Sequence, residues 1–497
     1  MQNLEFITAL ADRDDFSLSG VTFMEVIQQE GATWLLVGST AVNAISRFRL
    51  AEGDILQASG TYWSTTAGGF TADDALSISF GGQTRLLSLD KQNGSVAMQP
   101  LSATATPSSP LQLLDQGGNP VLLSNVMSVA QSGTTFIVGT GPDDTGIVTY
   151  SLENTWRVSL QSQVFDTPKS ASSGIAKIIT VQSGETTFVI TASQEESGLS
   201  SYILGDDGAL TFSDSISTSD GLWISGLEDL AHVQAAGQNF VVGISPESST
   251  LSAVRLNPMG VFFVADMEND TLETRFYRAS AMDVFSIGPR DFIIVGGADA
   301  GLSVYEMLPG GDLRHHLSLE QSNDWHFGPI ETIRTVQVGQ DIQVFVSGTA
   351  QGGIAQFSVP LAQLGERLVG STTNDTFEGG ALDDLLMGLE GDDLLTGNDG
   401  NDTLISGTGA DTLVGGYGED VFVFEADGQD DVVRTFEHGI DRLDLSGWGM
   451  VYDHHSLNIR SHRDGATISW GDEVLHVRTI DSRAISATTW DSDDFIF

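Results

Sequence analysis

Acidic side chains recur at a fixed interval between residues 370 and 423, where six nine-residue blocks follow one another without a gap. The sixth residue of every block is aspartate, and the eighth is apolar. The blocks read GSTTNDTFE, GGALDDLLM, GLEGDDLLT, GNDGNDTLI, SGTGADTLV and GGYGEDVFV. Carboxylate and carbonyl oxygens are the ligands of Ca²⁺, which takes roughly six to eight of them. Because glycine permits the tight loops that present such oxygens, the pattern predicts a calcium-binding parallel β-roll.

The aspartates fall into two predicted columns, because two blocks make one turn of such a roll and residues 18 apart then stack. The columns are Asp375, Asp393, Asp411 and Asp384, Asp402, Asp420. Calcium ions bound between successive aspartates of a column would number roughly four. Loop glycines and fifth-position side chains are expected to complete the metal site: Gly379, Gly388, Gly391, Gly397, Gly400, Gly407, Gly409, Gly415, Gly416, Gly418, Asn374, Asp383, Asp392 and Asn401. Thr373 and Leu382 replace the fourth-position glycine, so the first two blocks depart most from the pattern.

These repeats resemble those of the RTX family of secreted proteins, and the resemblance covers about the last quarter of the chain. Residues 424–449 are similar to the family's post-repeat strands, and residues 465–477 to the cap that closes the roll. The ending WDSDDFIF (residues 490–497) resembles a C-terminal signal read by a type I secretion apparatus. The resemblance implies Ca²⁺ as the cofactor and export from the cell. It leaves the activity open, because RTX rolls occur in proteases, lipases, pore formers, adhesins and surface-layer proteins.

The net charge of −46 on 497 residues excludes a nucleic-acid-binding surface or one attracted to anionic lipid. The chain has no cysteine, which excludes disulfides, a thiol nucleophile and thiolate metal sites. The segment MQNLEFITALADRDD lacks the basic and apolar regions of a secretory signal peptide, and no apolar run is long enough to cross a membrane. We therefore expect a secreted protein exported by its C-terminal segment.

Short β-rich segments recur through the first 360 residues, beginning at positions 34, 84, 136, 188, 240, 292 and 344. The spacing is 50 residues once and 52 thereafter, and other apolar segments flank each one. Several units show four predicted strands. Seven such units predict a seven-bladed β-propeller, in which the N-terminal strand of residues 2–11 completes the last blade.

The whole chain is therefore predicted to be all-β. Residues 1–360 form the propeller, 361–369 a linker, 370–423 the roll, and 424–497 the cap with the secretion signal.

Two features of the propeller offer binding or catalytic chemistry. Aromatic residues recur in the long loops between blades, where they either stack on a sugar or peptide or pack between blades. They are Tyr62, Trp63, Trp223, Phe276, Tyr277, Trp325 and the neighbouring His326. Charged residues near the predicted inner strands either meet in the central channel or are solvated loop groups. They are Asp220, Glu228, Asp229, His232, Asp283, Asp324 and Glu331.

Linear catalytic motifs are missing: the sequence contains no HExxH, no GxSxG, no P-loop and no dinucleotide fingerprint. The adjacent pairs His315–His316 and His454–His455 lie in strand-like or loop contexts and are predicted to be packing or surface residues, since neighbours on a strand point to opposite faces and are poor bidentate ligands. We expect a non-enzymatic binding or structural protein with an adhesive, surface-layer or matrix role. Its partner would be a glycan, a cell-surface ligand or another copy of itself. The alternative is a propeller hydrolase or lyase with its active site in the central channel.

Overall fold

The computed structural model describes residues 4–11, 18–40, 44–63, 73–108, 110–141, 146–272, 274–325, 328–349, 352–360, 365–449, 451 and 453–496. Side chains at positions 58, 61–63 and 360 are not described. The chain forms two compact units that divide after Pro360.

The first unit is a seven-bladed propeller whose blades are four-stranded antiparallel sheets. Its strands are β1 (Glu5–Ala11), β2 (Val21–Gln29), β3 (Ala32–Ser39), β4 (Ala44–Leu50), β5 (Ala58–Trp63), β6 (Asp74–Phe80), β7 (Gln83–Asp90), β8 (Ser95–Pro100), β9 (Leu111–Gln112), β10 (Asn125–Gln131), β11 (Thr134–Thr140), β12 (Gly146–Leu152), β13 (Val158–Phe165), β14 (Ile175–Ser183), β15 (Thr186–Ser193), β16 (Gly198–Leu204), β17 (Leu210–Ser217), β18 (Asp229–Ala235), β19 (Gln238–Ser245), β20 (Thr250–Leu256), β21 (Phe262–Asn269), β22 (Ala281–Ile287), β23 (Arg290–Gly296), β24 (Gly301–Met307), β25 (Leu313–Glu320), β26 (Ile330–Val338), β27 (Asp341–Gly348) and β28 (Gly353–Pro360). A 3₁₀ turn at Thr218–Asp220 follows β17.

The second strand of each blade explains the repeat in the sequence. These strands are apolar on both faces because they pack between neighbouring blades, and equivalent aromatic side chains on four of them are fully buried. They are Phe136, Phe188, Phe240 and Phe292. The predicted seven-bladed propeller is confirmed.

The N-terminal strand β1 lies at the outer edge of the last blade, where it pairs antiparallel with β28. The ring of Phe6 meets Phe357 edge-on at 5.7 Å between centroids, and Trp325 packs on the same Phe357 ring at 5.0 Å. One blade is thus built from both ends of this unit. The pairing also covers an edge that β28 would otherwise leave open.

The second unit is a parallel solenoid of about four turns over residues 367–447. One sheet contains β29 (Arg367–Val369), β31 (Leu385–Glu390), β33 (Thr403–Thr408), β35 (Val421–Glu425), β37 (Arg442–Gly447) and β41 (Phe495–Ile496). The other contains β30 (Thr376–Glu378), β32 (Leu394–Asp399), β34 (Thr412–Tyr417), β36 (Asp430–Phe436), β40 (Glu473–Thr479), β39 (Gly465–Trp470) and β38 (Asn458–His462). Short 3₁₀ turns lie at His454–Ser456 and Ser492–Asp494. The solenoid therefore continues past the six repeats, and the predicted all-β class is confirmed.

The eighth residue of the repeats fills the interior of the roll. Leu386, Leu395, Leu404, Leu413 and Phe422 are fully buried in one apolar cluster. Each such side chain contributes about 1.5–3 kcal/mol by leaving water. The C-terminal segment belongs to the same cluster through Trp490 and Phe495, whose rings lie 5.3 Å apart.

Candidate calcium site and central channel

The predicted aspartate columns are present, and hydrogen bonds to their carboxylates join successive turns of the roll. In both columns the backbone N–H of one aspartate donates to Oδ1 of the aspartate one turn later, at 2.6–3.0 Å. Parallel pairing of the strands fixes this register, since Leu395 pairs with Leu413 and Leu386 with Leu404. The columns are therefore hydrogen-bonded ladders.

The second oxygen of four aspartates has no partner. Among the described residues, Oδ2 of Asp393, Asp402, Asp411 and Asp420 is buried and accepts no hydrogen bond. The side chains are at most 3 % exposed. A buried oxygen left unpaired costs about 1–3 kcal/mol, and more when it is charged. A calcium ion takes hard oxygen ligands of this kind, so the donor set fits the predicted ion.

The raised pKa values of these carboxylates also favour a bound cation. Burial raises the pKa of Asp402 to about 8, and that of Asp411 and Asp420 to about 6. Neighbouring carboxylates in the same column raise the pKa of Asp402 and Asp411 further. Burial also raises the pKa of Asp393. A divalent cation removes this penalty because it stabilises the charged form.

The predicted glycines permit close stacking of the loops. A Cβ at the first-position Gly379, Gly388, Gly397 or Gly415 would overlap Oδ2 of the aspartate in the same block. At the second- and fourth-position Gly391, Gly400, Gly407, Gly409, Gly416 and Gly418, a Cβ would overlap backbone atoms of the residue 18 positions earlier. These six glycines also have positive φ. Larger residues would thus push apart the loops that surround the candidate ions.

The fifth-position side chains form a second ladder, outside the first. Oδ1 of Asn374, Asp383, Asp392 and Asn401 each accepts the backbone N–H of the residue 18 positions later, at 2.8–3.1 Å. These oxygens fix the register of the loops. Whether these side chains also ligate an ion remains a prediction.

The first two blocks differ from the later four. Oδ2 of Asp375 accepts the backbone N–H and the hydroxyl of Ser371, and Oδ2 of Asp384 accepts the N–H of Gly380. Both carboxylates are thus satisfied inside their own loops. The oxygens that need a cation begin one turn later, at Asp393 and Asp402.

Two aspartates beyond the repeats extend the columns, and the block pattern does not reveal them. Oδ1 of Asp431 accepts the N–H of Asp411, and Oδ1 of Asp441 accepts that of Asp420. Burial raises the pKa of Asp431 to about 7 and that of Asp441 to about 8. Their spacing is 20 and 21 residues instead of 18. Each precedes a fully buried apolar residue by two positions, Val433 or Leu443, as in the repeats.

A second polar site lies in the central channel of the propeller. Six innermost strands carry charged side chains near this channel, among them Glu25, Asp74, Lys177, Asp229, Asp283 and Arg334. Lys177 Nζ lies 2.9 Å from Asp229, and the Arg334 guanidinium lies 3.1 Å from Glu25 and 4.0 Å from Asp283. These pairs cross from blade to blade and adjoin a cavity of about 980 Å³.

The structure brings together some of the charged residues singled out in the sequence. Glu228, Asp229 and Glu331 line the cavity, and Asp283 contacts Arg334 beside it. Burial raises the pKa of Glu228, Asp283 and Glu331. The other three make local contacts elsewhere: Asp220 with Ser217, His232 with Asn239, and Asp324 with Ser322.

The aromatic residues of the propeller loops divide into two groups. Phe276 and Trp325 are buried, whereas Trp223 and Tyr277 are 71 % and 53 % exposed. The side chains of Tyr62 and Trp63, and all of His326, lie outside the described residues. Packing between blades and an exposed platform thus both occur.

The two histidine pairs lie in different local structures. On β25, His316 contacts Glu306 and His315 contacts Ser318, as expected for packing residues. His454 and His455 lie in a 3₁₀ turn, the loop alternative that the sequence left open. There both Nδ1 atoms face Oδ1 of Asp453, at 3.4 and 2.8 Å.

Comparison with known proteins agrees with the C-terminal geometry. Residues 365–395 and 396–432 match the sequence model of the RTX calcium-binding nonapeptide repeat family. The second unit therefore carries RTX repeats. No curated protein sequence matches the chain. No described helix is long and apolar enough to span a membrane.

The solved structures that resemble the chain include three with 9–13 % sequence identity. A protein from Lactobacillus plantarum has 13 % identity and a TM-score of 0.43, over 63 % of this chain and 95 % of its own. The Dos1 propeller has 9 % identity and a TM-score of 0.46, over 71 % and 95 %. A putative 6-phosphogluconolactonase from Bacteroides fragilis has 11 % identity and a TM-score of 0.46, over 67 % and 96 %. Similarities this low carry no inference about activity.

Proposed function

We propose that this chain is a secreted, calcium-dependent binding or structural protein, in which the roll folds on meeting calcium and the propeller recognises a ligand or assembles. The observation that carries the proposal is the set of four buried, unpaired Oδ2 atoms at Asp393, Asp402, Asp411 and Asp420. Calcium satisfies these oxygens and removes the repulsion between carboxylates. Folding of the roll is thereby tied to the calcium concentration around it.

Export through a type I secretion apparatus fits this dependence. In the low calcium of a cell interior, a chain with a net charge of −46 and repelling aspartate columns stays loose and easy to thread. The proposed signal at residues 490–497 is accessible in that state. In the folded roll, Trp490 and Phe495 are only 4 % and 2 % exposed. Folding outside the cell would therefore bury the signal after its use.

An adhesive, surface-layer or matrix role is the function we assign to the exported protein. Acidic surfaces repel one another unless divalent ions bridge them, so calcium would favour both folding and assembly. Sedimentation velocity of the full chain, with millimolar calcium and with chelator, tests this role. Calcium-dependent growth into large particles supports a coat or matrix. A monomer in both conditions, more extended in chelator, leaves glycan or cell-surface recognition as the only form of the proposal that survives.

A channel-based hydrolase or lyase is a second candidate, favoured by the convergence of Glu228, Asp229 and Glu331 on one cavity. Carboxyl groups whose pKa is raised by burial are suited to donate protons, and Glu228 and Glu331 have this property. Release of new chain ends from polysaccharides, abolished by Glu331→Gln, tests this candidate.

A further inference from the structure

Positive charge is scarce in this protein but concentrated at one end of the propeller channel. The chain has 21 lysines and arginines against 67 acidic residues. Among the described residues that line the channel cavity, four are cations and five are acids. The four cations are Lys91, Lys177, Arg278 and Arg334, which include two of the three lysines in the chain. An anion is thus repelled far less here than over the rest of the surface.

One of these cations is available to a ligand. Lys177 and Arg334 form ion pairs across blades, and Lys91 lies 3.9 Å from Asp74. Arg278 is exposed, and no carboxylate of the described chain lies within ion-pair distance of its guanidinium. A guanidinium binds a carboxylate through two parallel hydrogen bonds, so Arg278 is suited to hold an acidic group.

The remaining lining suits hydroxyl groups. The ion-paired Lys177 and Asp229 both line the cavity, and the Lys177 side chain is 41 % exposed despite its ion pair. Such donor and acceptor pairs match the vicinal hydroxyls of a sugar ring. The cavity of about 980 Å³ has the size of a small-molecule site.

An exposed aromatic side chain is next in sequence to Arg278, which lines the cavity. Tyr277 is half exposed, directly precedes Arg278, and accepts at its carbonyl the N–H of Ala298, which also lines the cavity. Trp223, in the preceding inter-blade loop, is more exposed still. A sugar ring lies flat on such a face, which is apolar and keeps a polar edge.

We propose that this end of the channel binds an acidic oligosaccharide, with Arg278 holding a carboxylate, Lys177 and Asp229 the ring hydroxyls, and Tyr277 the face of a sugar. This inference rests on the recognition role proposed above and names its ligand class and site.

The three lysines provide a direct probe. Selective ¹⁵N-lysine labelling of the calcium-loaded full chain leaves the side chains unmodified and gives one backbone amide signal for each of the three lysines. Hyaluronan and mannuronate tetrasaccharides are titrated at fixed free calcium, with the neutral chitotetraose for comparison. The acidic sugars should shift Lys177 and Lys91 but leave the exposed Lys169 unmoved, and the shifts should weaken with added salt.

Variants decide whether the shifts report the proposed contacts. Arg278→Gln leaves the ion pairs of the channel intact and should weaken binding roughly tenfold or more. Tyr277→Ala should weaken it as well, and Lys169→Met should not. No Lys177 shift with either acidic sugar, equal binding of chitotetraose, or unchanged binding by Arg278→Gln would each overturn the inference. Circular dichroism of the same samples, with calcium and with chelator, reports the folding of the roll separately, so failure of the calcium proposal is distinguished from failure of the sugar site.

Discussion

The backbone N–H of Asp393 donates a 2.7 Å hydrogen bond to Oδ1 of Asp411, one full turn further along the roll. Oδ2 of the same Asp411 carboxylate is buried and unpaired. The two oxygens therefore have separate roles, since one fixes the stacking of turns and the other faces the proposed ion. Asparagine keeps the first oxygen and replaces the second by an NH₂ group, which cannot ligate a cation.

Asp402→Asn should lower the number of bound calcium ions by one or two and raise the calcium concentration needed to fold the roll. Where the free calcium concentration is tenfold above the Kd of a site, loss of that site removes about 1.4 kcal/mol of stability. Isothermal titration calorimetry measures the stoichiometry. The control is Asp472→Asn, in the exposed turn between β39 and β40. Identical stoichiometry in both variants contradicts the column site.

Asp441→Asn should leave the number of bound calcium ions unchanged, although Asp441 continues the ladder beyond the six repeats. Its Oδ1 accepts the N–H of Asp420 and its Oδ2 accepts that of Glu437, so both oxygens already have a partner. Loss of the hydrogen bond from Glu437 should weaken the last turn of the roll by about 1–3 kcal/mol. Isothermal titration calorimetry measures the stoichiometry, and a lower number of ions would place one at Asp441 as well.

The pH dependence of roll stability should reverse with calcium. With chelator, Asp402 and Asp441 have a folded pKa of about 8, and Asp411 and Asp420 of about 6, all above the usual value of 3.8. The folded state then binds more protons, so stability is greatest below about pH 4 and is lost as the pH rises through 6 to 8. With calcium, protons compete with the ion, and stability should increase over the same range. Urea unfolding at several pH values measures both trends, and parallel trends would count against the site.

Deletion of residues 490–497 should block export. The deletion also removes Trp490 from the roll core, so a second variant is needed that destabilises the core without removing the segment. Leu413→Ala weakens that core by about 2–5 kcal/mol and leaves the segment intact, so this variant should still leave the cell. Secretion assays compare the two, and export of the deletion variant would refute the signal.

Phe6→Ala should lower the stability of the propeller by about 1–3 kcal/mol, because it removes the ring contact between β1 and Phe357. Phe165→Ala provides the matched control, since Phe165 lies on an outer strand and is 59 % exposed. Thermal unfolding compares the two variants. Equal midpoints would show that β1 contributes little to closing the ring.

The sequence predicts the fold well wherever a repeat is regular. Units spaced by 50 or 52 residues predict seven blades, and aspartates at an interval of 18 predict the stacked columns of which Asp393 and Asp411 are members. In each case one local pattern is repeated, and stacking of equal units determines the architecture.

Features that depend on contacts distant in sequence are not predictable in this way. Lys177 and Asp229 pair across neighbouring blades, 52 positions apart, and Asp441 is displaced from the column interval by three inserted residues. Oδ2 of Asp384 accepts a loop N–H, whereas Oδ2 of Asp402 accepts none. The repeat pattern does not distinguish these two loops. For His454 and His455, the sequence leaves a strand and a loop open, so the contact of both rings with Asp453 is not predictable.

Hydrogen exchange of the full chain, measured in millimolar calcium and in chelator, tests the central claim most directly. The amides of residues 385–445 should be protected only in calcium, because the four buried Oδ2 atoms of the roll need the ion. The amides of the propeller strands should be protected in both conditions. Equal protection of residues 385–445 in chelator would contradict calcium-dependent folding of the roll.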